Sequence, residues 1–262
     1  MKTDSIASLY CNPDEHSRLV DDTVLRYLDS LAIIEDDNIH KRLLKELIRK
    51  YVTLENRVDT LLKNTLPEEV AEIIKYEGKF APRPYECTIL FSDFVDFTRL
   101  VEKIYGEVLI ELLDKIFRGF DDIVAGFGGT KIKTIGDAYM AVFGAPVKYD
   151  DHAVMSVDAG LALFDFMDSF NKNEGQHFQM RVGIHTGMVM AGVVGKSRMQ
   201  FDVFGDNVNI ASRFESSGEK GKVNISHETY MKTLLYFTFE ERGEISLKNK
   251  PAMKAYFVKG RI

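Results

Sequence analysis

The sequence predicts an α+β fold, an α/β sandwich built on a split βαβ arrangement. One mostly antiparallel sheet carries helices on one face, and an α-helical region precedes it. Three observations predict it. Residues 1–66 contain no Gly and a single Pro among many Leu, Lys, Glu and Asp, a composition suited to helix. At Lys79-Phe80-Ala81-Pro82-Arg83-Pro84 the style changes to a prolyl linker, and apolar runs then alternate with amphipathic stretches. Gly136-Asp137 stands between two of these runs, as a two-residue hairpin turn does. The expected organisation is a helical region over 1–78 and a second domain over 79–262.

Within the first region Leu44, Leu47, Tyr51, Leu54, Val58, Leu61 and Thr65 alternate spacings of three and four. That is a heptad seam of about three heptads. It fits either one amphipathic helix packed on its own domain or a parallel, self-paired coiled coil. Leu66-Pro67-Glu68-Glu69-Val70 breaks the seam and starts a short second helix, because Pro is tolerated in a first turn. Cys87 to Phe91 then reads as a buried strand. Leu109, Leu112, Leu113, Ile116, Phe117 and Phe120 mark a helix that ends at Gly126. Lys131 to Ile135 and Ala138 to Phe143 form the hairpin, Val154, Val157, Leu161, Phe164 and Met167 a second long helix, and Gln179 to His185 the next strand. The order strand, helix, hairpin, helix, strand leaves one sheet face available.

Composition narrows the function classes. A chain of 262 residues with 45% hydrophobic residues has ample material for a packed core and is not disordered. No stretch reaches the roughly 18 apolar residues of a membrane helix, and Met1 to Ile6 meets an acid before any apolar run, so neither membrane insertion nor a secretory signal is expected. Two cysteines, Cys11 and Cys87, are too few for a disulfide framework and fit a reducing, cytoplasmic compartment. The net charge of -6 argues against a surface that coats nucleic acid.

Chemistry concentrates where strands end. Asp93 stands where the first strand leaves the sheet, and Asp137 at the tip of the hairpin. Neighbouring strands lie about 4.8 Å apart, so two such carboxylates converge on divalent cations if their strands are adjacent. The alternative for an acid after a strand is a cap or turn, and Asp96 is well placed as a cap.

Four segments resemble, in order, the catalytic domain of class III nucleotide cyclases of the adenylyl cyclase type. They are Phe91-Ser92-Asp93-Phe94-Val95-Asp96-Phe97-Thr98, Lys131-Ile132-Lys133-Thr134-Ile135-Gly136-Asp137-Ala138-Tyr139-Met140, Met180-Arg181-Val182-Gly183-Ile184-His185-Thr186-Gly187, and Asp202-Val203-Phe204-Gly205-Asp206-Asn207-Val208-Asn209-Ile210-Ala211-Ser212-Arg213. The resemblance covers about residues 85 to 260. Its one departure is Asp96, where members often carry Gly.

The resemblance implies the ferredoxin-like split βαβ core of that domain. It also implies conversion of a nucleoside triphosphate to its 3′,5′-cyclic monophosphate with release of pyrophosphate. Asp93 and Asp137 would bind two Mg2+ or Mn2+ ions, with the Phe94 carbonyl as a further ligand. Asn209 would position the ribose, and Arg213 would stabilise charge on the transferring phosphorus; four residues apart on a helix, both lie on one face, with Val208, Ala211 and Phe214 on the buried side. An isolated helical Arg would instead pair with an acid such as Glu215. Arg181 and Lys248 match positions that bind the β- and γ-phosphates, with Lys250 competing for the second place. His185 reads as structural rather than catalytic.

Lys133 and Asp202 match the positions that choose the base. A Lys donor beside an Asp acceptor fits the adenine edge, and guanine reverses both polarities, so ATP is the expected substrate. Members that make cyclic GMP typically carry Glu and Cys at these positions. The family builds each site between two protomers, which implies a homodimer and favours the coiled-coil reading of residues 44–65. The alternatives are a guanylate cyclase and a noncatalytic, nucleotide-binding dimeric signalling module. No regulatory signature is legible in residues 1–43.

Overall fold

A computed structural model of the chain describes residues 37–97, 101, 104–196, 198–246 and 251–262. It divides into two compact units, Met1–Asn64 and Thr65–Ile262. In the first, helix α1 (Asp37–Lys63) carries the expected seam. Leu44, Tyr51, Leu54 and Val58 are all exposed along it. The helix ends two residues short of Thr65, so that position is not part of it. The division falls ahead of the composition change at Lys79, because α2 (Glu68–Glu77) groups with the second unit and buries Val70 and Ala71.

The second unit is built on an eight-stranded sheet in the order β2-β3-β1-β4-β6-β8-β7, with β5 pairing β4. The expected core order is present as β1 (Arg83–Phe94), α3 (Gly106–Gly126), β2 (Gly129–Ile135), β3 (Ala138–Phe143), α4 (His152–Glu174) and β4 (Met180–Val194). Beyond it follow β5 (Gln200–Phe204), α5 (Asp206–Ser216), β6 (Val223–Ser226), α6 (His227–Thr233), β7 (Phe237–Ile245) and β8 (Met253–Arg261). All pairings are antiparallel except β4 with β6.

The alternation of strand side chains decides which face is core. Leu90 of β1 and Val182 and Ile184 of β4 join Ile116 and Phe120 of α3 and Val157 of α4 in the main apolar cluster. The intervening residues Phe91, Asp93, Arg181, Gly183 and His185 belong to the other face. That face is not wholly open: α5 lies on it, directly over Gly183. A Cβ there would stand 1.9 Å from the Glu215 amide nitrogen, so only glycine permits this approach. At the hairpin, Gly136 has φ 65°, the left-handed first position of a Gly-X turn.

Asp96 has φ 58°, the left-handed region that glycine enters freely and Asp tolerates better than most residues. No helix among the described residues is long and apolar enough to cross a membrane.

Candidate active site

The two acids meet because their strands are neighbours. β3 pairs β1 with Tyr139 opposite Ser92, which folds the Gly136-Asp137 turn against Asp93. Asp137 is held above the usual carboxylate range, first by burial and then by the Asp93 carboxylate, which stands within hydrogen-bonding reach; its own backbone amide acts the other way. A carboxylate whose ionisation is opposed by a second one beside it marks a site short of positive charge. No cluster of three or more His, Cys, Asp or Glu side chains with metal-site geometry occurs among the described residues. Mg2+ needs no such cluster, since it is commonly held by one or two carboxylates and completed by water and substrate phosphates. The donor set therefore fits a divalent ion that arrives with a nucleotide. The Phe94 side chain is spent in the core against Phe178, centroids 5.5 Å apart, which leaves the carbonyl as that residue's contribution.

Arg181 lies opposite Asp93 in the β1–β4 register. Its Nη2 donates to Asp93 Oδ2 at 3.2 Å, its Nε to Glu215 Oε1 at 2.5 Å and its Nη1 to the Ser216 carbonyl at 3.3 Å. The guanidinium thus ties the acid pair to α5. Burial raises the Glu215 pKa while Arg181 opposes the shift, so the pair is mutually dependent. Glu215, which an isolated helical Arg213 would have paired with, serves Arg181, in keeping with the reading of Arg213 as free for substrate. The signal was in the sequence: Glu215 is four residues after Ala211, on the stripe α5 buries, and an acid there implies a buried cation.

α5 presents Asn209 and Arg213 on its outer side. Both are exposed, and the Arg213 guanidinium has no partner among the described residues. The inner side is formed by Ile210, Ala211, Phe214 and Glu215. Val208 is only half-buried and Ile210 takes the place expected for it, because the helix rests on Gly183 through this second set.

Lys133 and Asp202, 69 residues apart in sequence, come together at the β2–β5 side. Lys133 Nζ donates to Asp202 Oδ2 at 2.5 Å, and Asp202 Oδ1 accepts the Val203 amide at 2.9 Å. Asp202 is buried and the Lys133 side chain 31% exposed. Lys248 and its competitor Lys250 lie outside the described residues.

His185 and His152 are both buried, and burial holds each below the usual imidazole range. Glu228 and Asp206 pull against this at His185; Glu86, Asp150 and Asp151 do so at His152, where Lys232 acts with burial. The unfolded chain takes up these protons first. Their stabilisation is full above about pH 6.5 and is lost as pH falls from there through the depressed folded values. Asp137 and Glu215, held up, act with the opposite sign at lower pH. The melting temperature is therefore expected to fall between about pH 7.5 and about pH 5.5, with a shallower slope in a His152→Gln variant. Equal slopes in thermal melts of the two proteins would contradict this.

Residues 81–260 match the adenylate and guanylate cyclase catalytic domain family. A receptor-type guanylate cyclase of Caenorhabditis elegans is 34% identical over 94% of this chain and 19% of its own length. An adenylate cyclase of Mycobacterium tuberculosis is 36% identical over 79% of this chain and 47% of its own. The chain thus spans less than half the length of these curated relatives. The guanylate cyclase domain of RhGC from Catenaria anguillulae, solved in complex with GTP, superposes with a TM-score of 0.67 at 33% identity. That match covers 69% of this chain and all of the other.

Proposed function

The chain belongs to the adenylate and guanylate cyclase catalytic domain family, and from that premise we propose that it converts ATP to 3′,5′-cyclic AMP and pyrophosphate. Relatives of both base specificities are similar to it, so the choice of ATP rests on the base-reading pair. The observation that carries it is the Lys133–Asp202 contact, which sets a donor and an acceptor side by side with the polarity of an adenine partner. The competing reading, a guanylate cyclase, requires the reverse polarity.

In the proposed reaction the ribose 3′ oxygen attacks the α-phosphorus in line, the bond to the pyrophosphate oxygen breaks, and the 3′ hydroxyl proton is released. Asp93, Asp137 and the Phe94 carbonyl would hold two Mg2+ or Mn2+ ions, which when bound would ease ionisation of the 3′ hydroxyl and neutralise the phosphates. Asn209 orients the ribose. Arg213 meets the charge that develops on the α-phosphoryl oxygens, a role its planar fork suits. Arg181, already beside the acid pair, turns from Asp93 to the β- and γ-phosphates, with Lys248 as the second phosphate ligand.

The orientation of α5 supports a homodimer with shared sites. Glu215 turns inward to Arg181, which also holds Asp93, while Asn209 and Arg213 face outward. One protomer's acids are thereby supported by its own helix, and that helix offers its catalytic side to a partner. The exposed seam on α1 would join two such chains. Replacing Leu54 and Val58 with Lys is expected to weaken self-association and to lower specific activity most at low protein concentration. Sedimentation and activity measured across a dilution series check this, and unchanged values in both would remove the seam from the assembly. The proposed setting is the cytoplasm; the Cys87 thiol is buried and pushed up to about 12, inert toward oxidation in any compartment.

The deciding experiment incubates the purified chain with ATP or GTP and Mn2+ and separates the products by chromatography. Cyclic AMP formed well ahead of cyclic GMP supports the proposal. Cyclic GMP formed at least as fast overturns the base assignment, and no cyclic product from either nucleotide overturns the activity.

A further inference from the structure

A line of buried polar side chains runs through the second unit from His152, at the start of α4, to the first turn of α5. His152 Nδ1 stands 2.8 Å from Thr88 Oγ1, Thr88 Oγ1 2.8 Å from Thr186 Oγ1, and Thr186 Oγ1 3.0 Å from Thr229 Oγ1. Thr229 Oγ1 is 3.3 Å from Ser226 Oγ, which is 2.8 Å from His185 Nδ1. His185 Nε2 reaches Asn207 Oδ1 at 2.9 Å, and Asn207 Nδ2 donates to the Met188 carbonyl at 2.7 Å. Both histidines and all four hydroxyl residues are buried. Asn207 also packs over Gly187, where a Cβ would stand 2.5 Å from its Cγ.

Proton counting gives this line one direction. The Met188 carbonyl can only accept, so the Asn207 amide nitrogen faces it and the Asn207 oxygen faces His185. His185 must then carry its proton on Nε2, and its neutral ring accepts at Nδ1. Ser226, at 2.8 Å, spends its hydroxyl proton on that nitrogen; the Glu228 carboxylate, 3.6 Å from it, is beyond hydrogen-bond distance. Ser226 Oγ also accepts the Thr229 backbone amide at 3.3 Å; in the hydroxyl contacts Thr229 donates to Ser226, Thr186 to Thr229 and Thr88 to Thr186, each hydroxyl having one proton to give. At the far end His152 donates from Nδ1, the tautomer a free imidazole disfavours. A protonated His185 would set a second N–H against Ser226 and force the whole line to reverse.

We infer that His185 is a positioning residue for the proposed cyclisation: neutral and protonated on Nε2, it holds Asn207 at the first turn of α5, and the hydroxyl line from His152 supplies the donor that fixes this tautomer. The inference rests on the assignment of Asn209 and Arg213 to catalysis. Asn207 precedes Asn209 by two residues, so the clamp sets where the helix enters, and an in-line attack tolerates little error. A displacement of about 1 Å costs on the order of a hundredfold. His185 touches neither nucleotide nor metal in this account.

The test is nitrogen-15 NMR of histidine-labelled protein without nucleotide at about pH 8, joined to kinetics. The wild type is expected to show His185 protonated on Nε2 and His152 on Nδ1. His152 found with its proton on Nε2, or His185 with its proton on Nδ1, would overturn the inference. His185→Phe, which keeps a ring against Phe214 (6.1 Å between centroids), should lower kcat about ten- to hundredfold with KM for ATP within about twofold. His185→Gln, which can still donate to Asn207, should recover most of that kcat. Equal kcat in the Phe and Gln variants would reduce His185 to packing. If the Phe variant does not fold, Asn207→Ala supplies the same kinetic comparison. Should the wild type make no cyclic nucleotide, the functional reading fails by itself. Amide exchange over the first turn of α5 then decides the clamp: faster exchange in Asn207→Ala upholds it, and unchanged exchange overturns it.

Discussion

Asp137→Asn and Arg213→Ala, each made alone, are expected to lower nucleotide cyclisation by roughly three orders of magnitude or more. The first removes one of the two charges the divalent ions need, at a carboxylate whose ionisation burial and Asp93 oppose. The second removes a guanidinium that is exposed and has no partner among the described residues, so stability should change by less than about 0.5 kcal/mol while turnover collapses. That dissociation separates a catalytic arginine from a structural one. The two inactive proteins should then complement each other. When they are unfolded together and refolded in equal amounts, about half of the dimers carry one copy of each. In such a dimer one site has both lesions and the other has none. About a quarter of wild-type activity should return. Mass measurement confirms exchange of chains, and no recovery in confirmed heterodimers would place each site within a single protomer.

The arrangement of strands and long helices was legible because each carries its period in the sequence. Leu90 to Phe94 and Val182 to Ile184 show the alternation of a sheet between two environments, and Ile116 to Phe120 the helical stripe that covers one of them. The proposed site residues came from a resemblance, and the structure adds where they sit: Asp93 beside Asp137, Lys133 against Asp202, Asn209 with Arg213 on one exposed side of α5. Tertiary contact accounts for what the sequence left unread. The face of α5 that turns inward is decided by the missing side chain of Gly183, on another strand, and this sets Ile210 inside in place of Val208. The partner of Glu215 stayed unread because Arg181 lies 34 residues away and across the sheet. The line from Thr88 to Ser226 joins residues that carry no common pattern. Hydroxyl residues in strands look like ordinary strand formers until their partners are known.

The other large effect concerns the base. Replacing Lys133 with Glu and Asp202 with Cys together is expected to change the ratio of ATP to GTP turnover by on the order of a hundredfold toward GTP. Adenine offers an amine donor and a ring-nitrogen acceptor on its pairing edge, and guanine the reverse. Lys133 and Asp202 meet the first pattern and leave both groups unpaired against the second. Each buried polar group left without a partner costs about 1 to 3 kcal/mol. Two such mismatches therefore outweigh any gain from stacking, which is similar for both bases. The 2.5 Å ion pair between the two side chains makes the single changes uninformative. Lys133→Glu alone would put a second carboxylate against a buried Asp202, and Asp202→Cys alone would leave the ammonium without its partner. Either would lower turnover of both nucleotides without reporting on the base. Only the double change removes the pair and inverts both polarities at once. Steady-state kcat/KM for each nucleotide, in wild type and double variant under the same Mn2+ concentration, gives the ratio directly. A wild type that already prefers GTP, or a double variant that keeps the wild-type ratio, would show that the base is chosen elsewhere in the site.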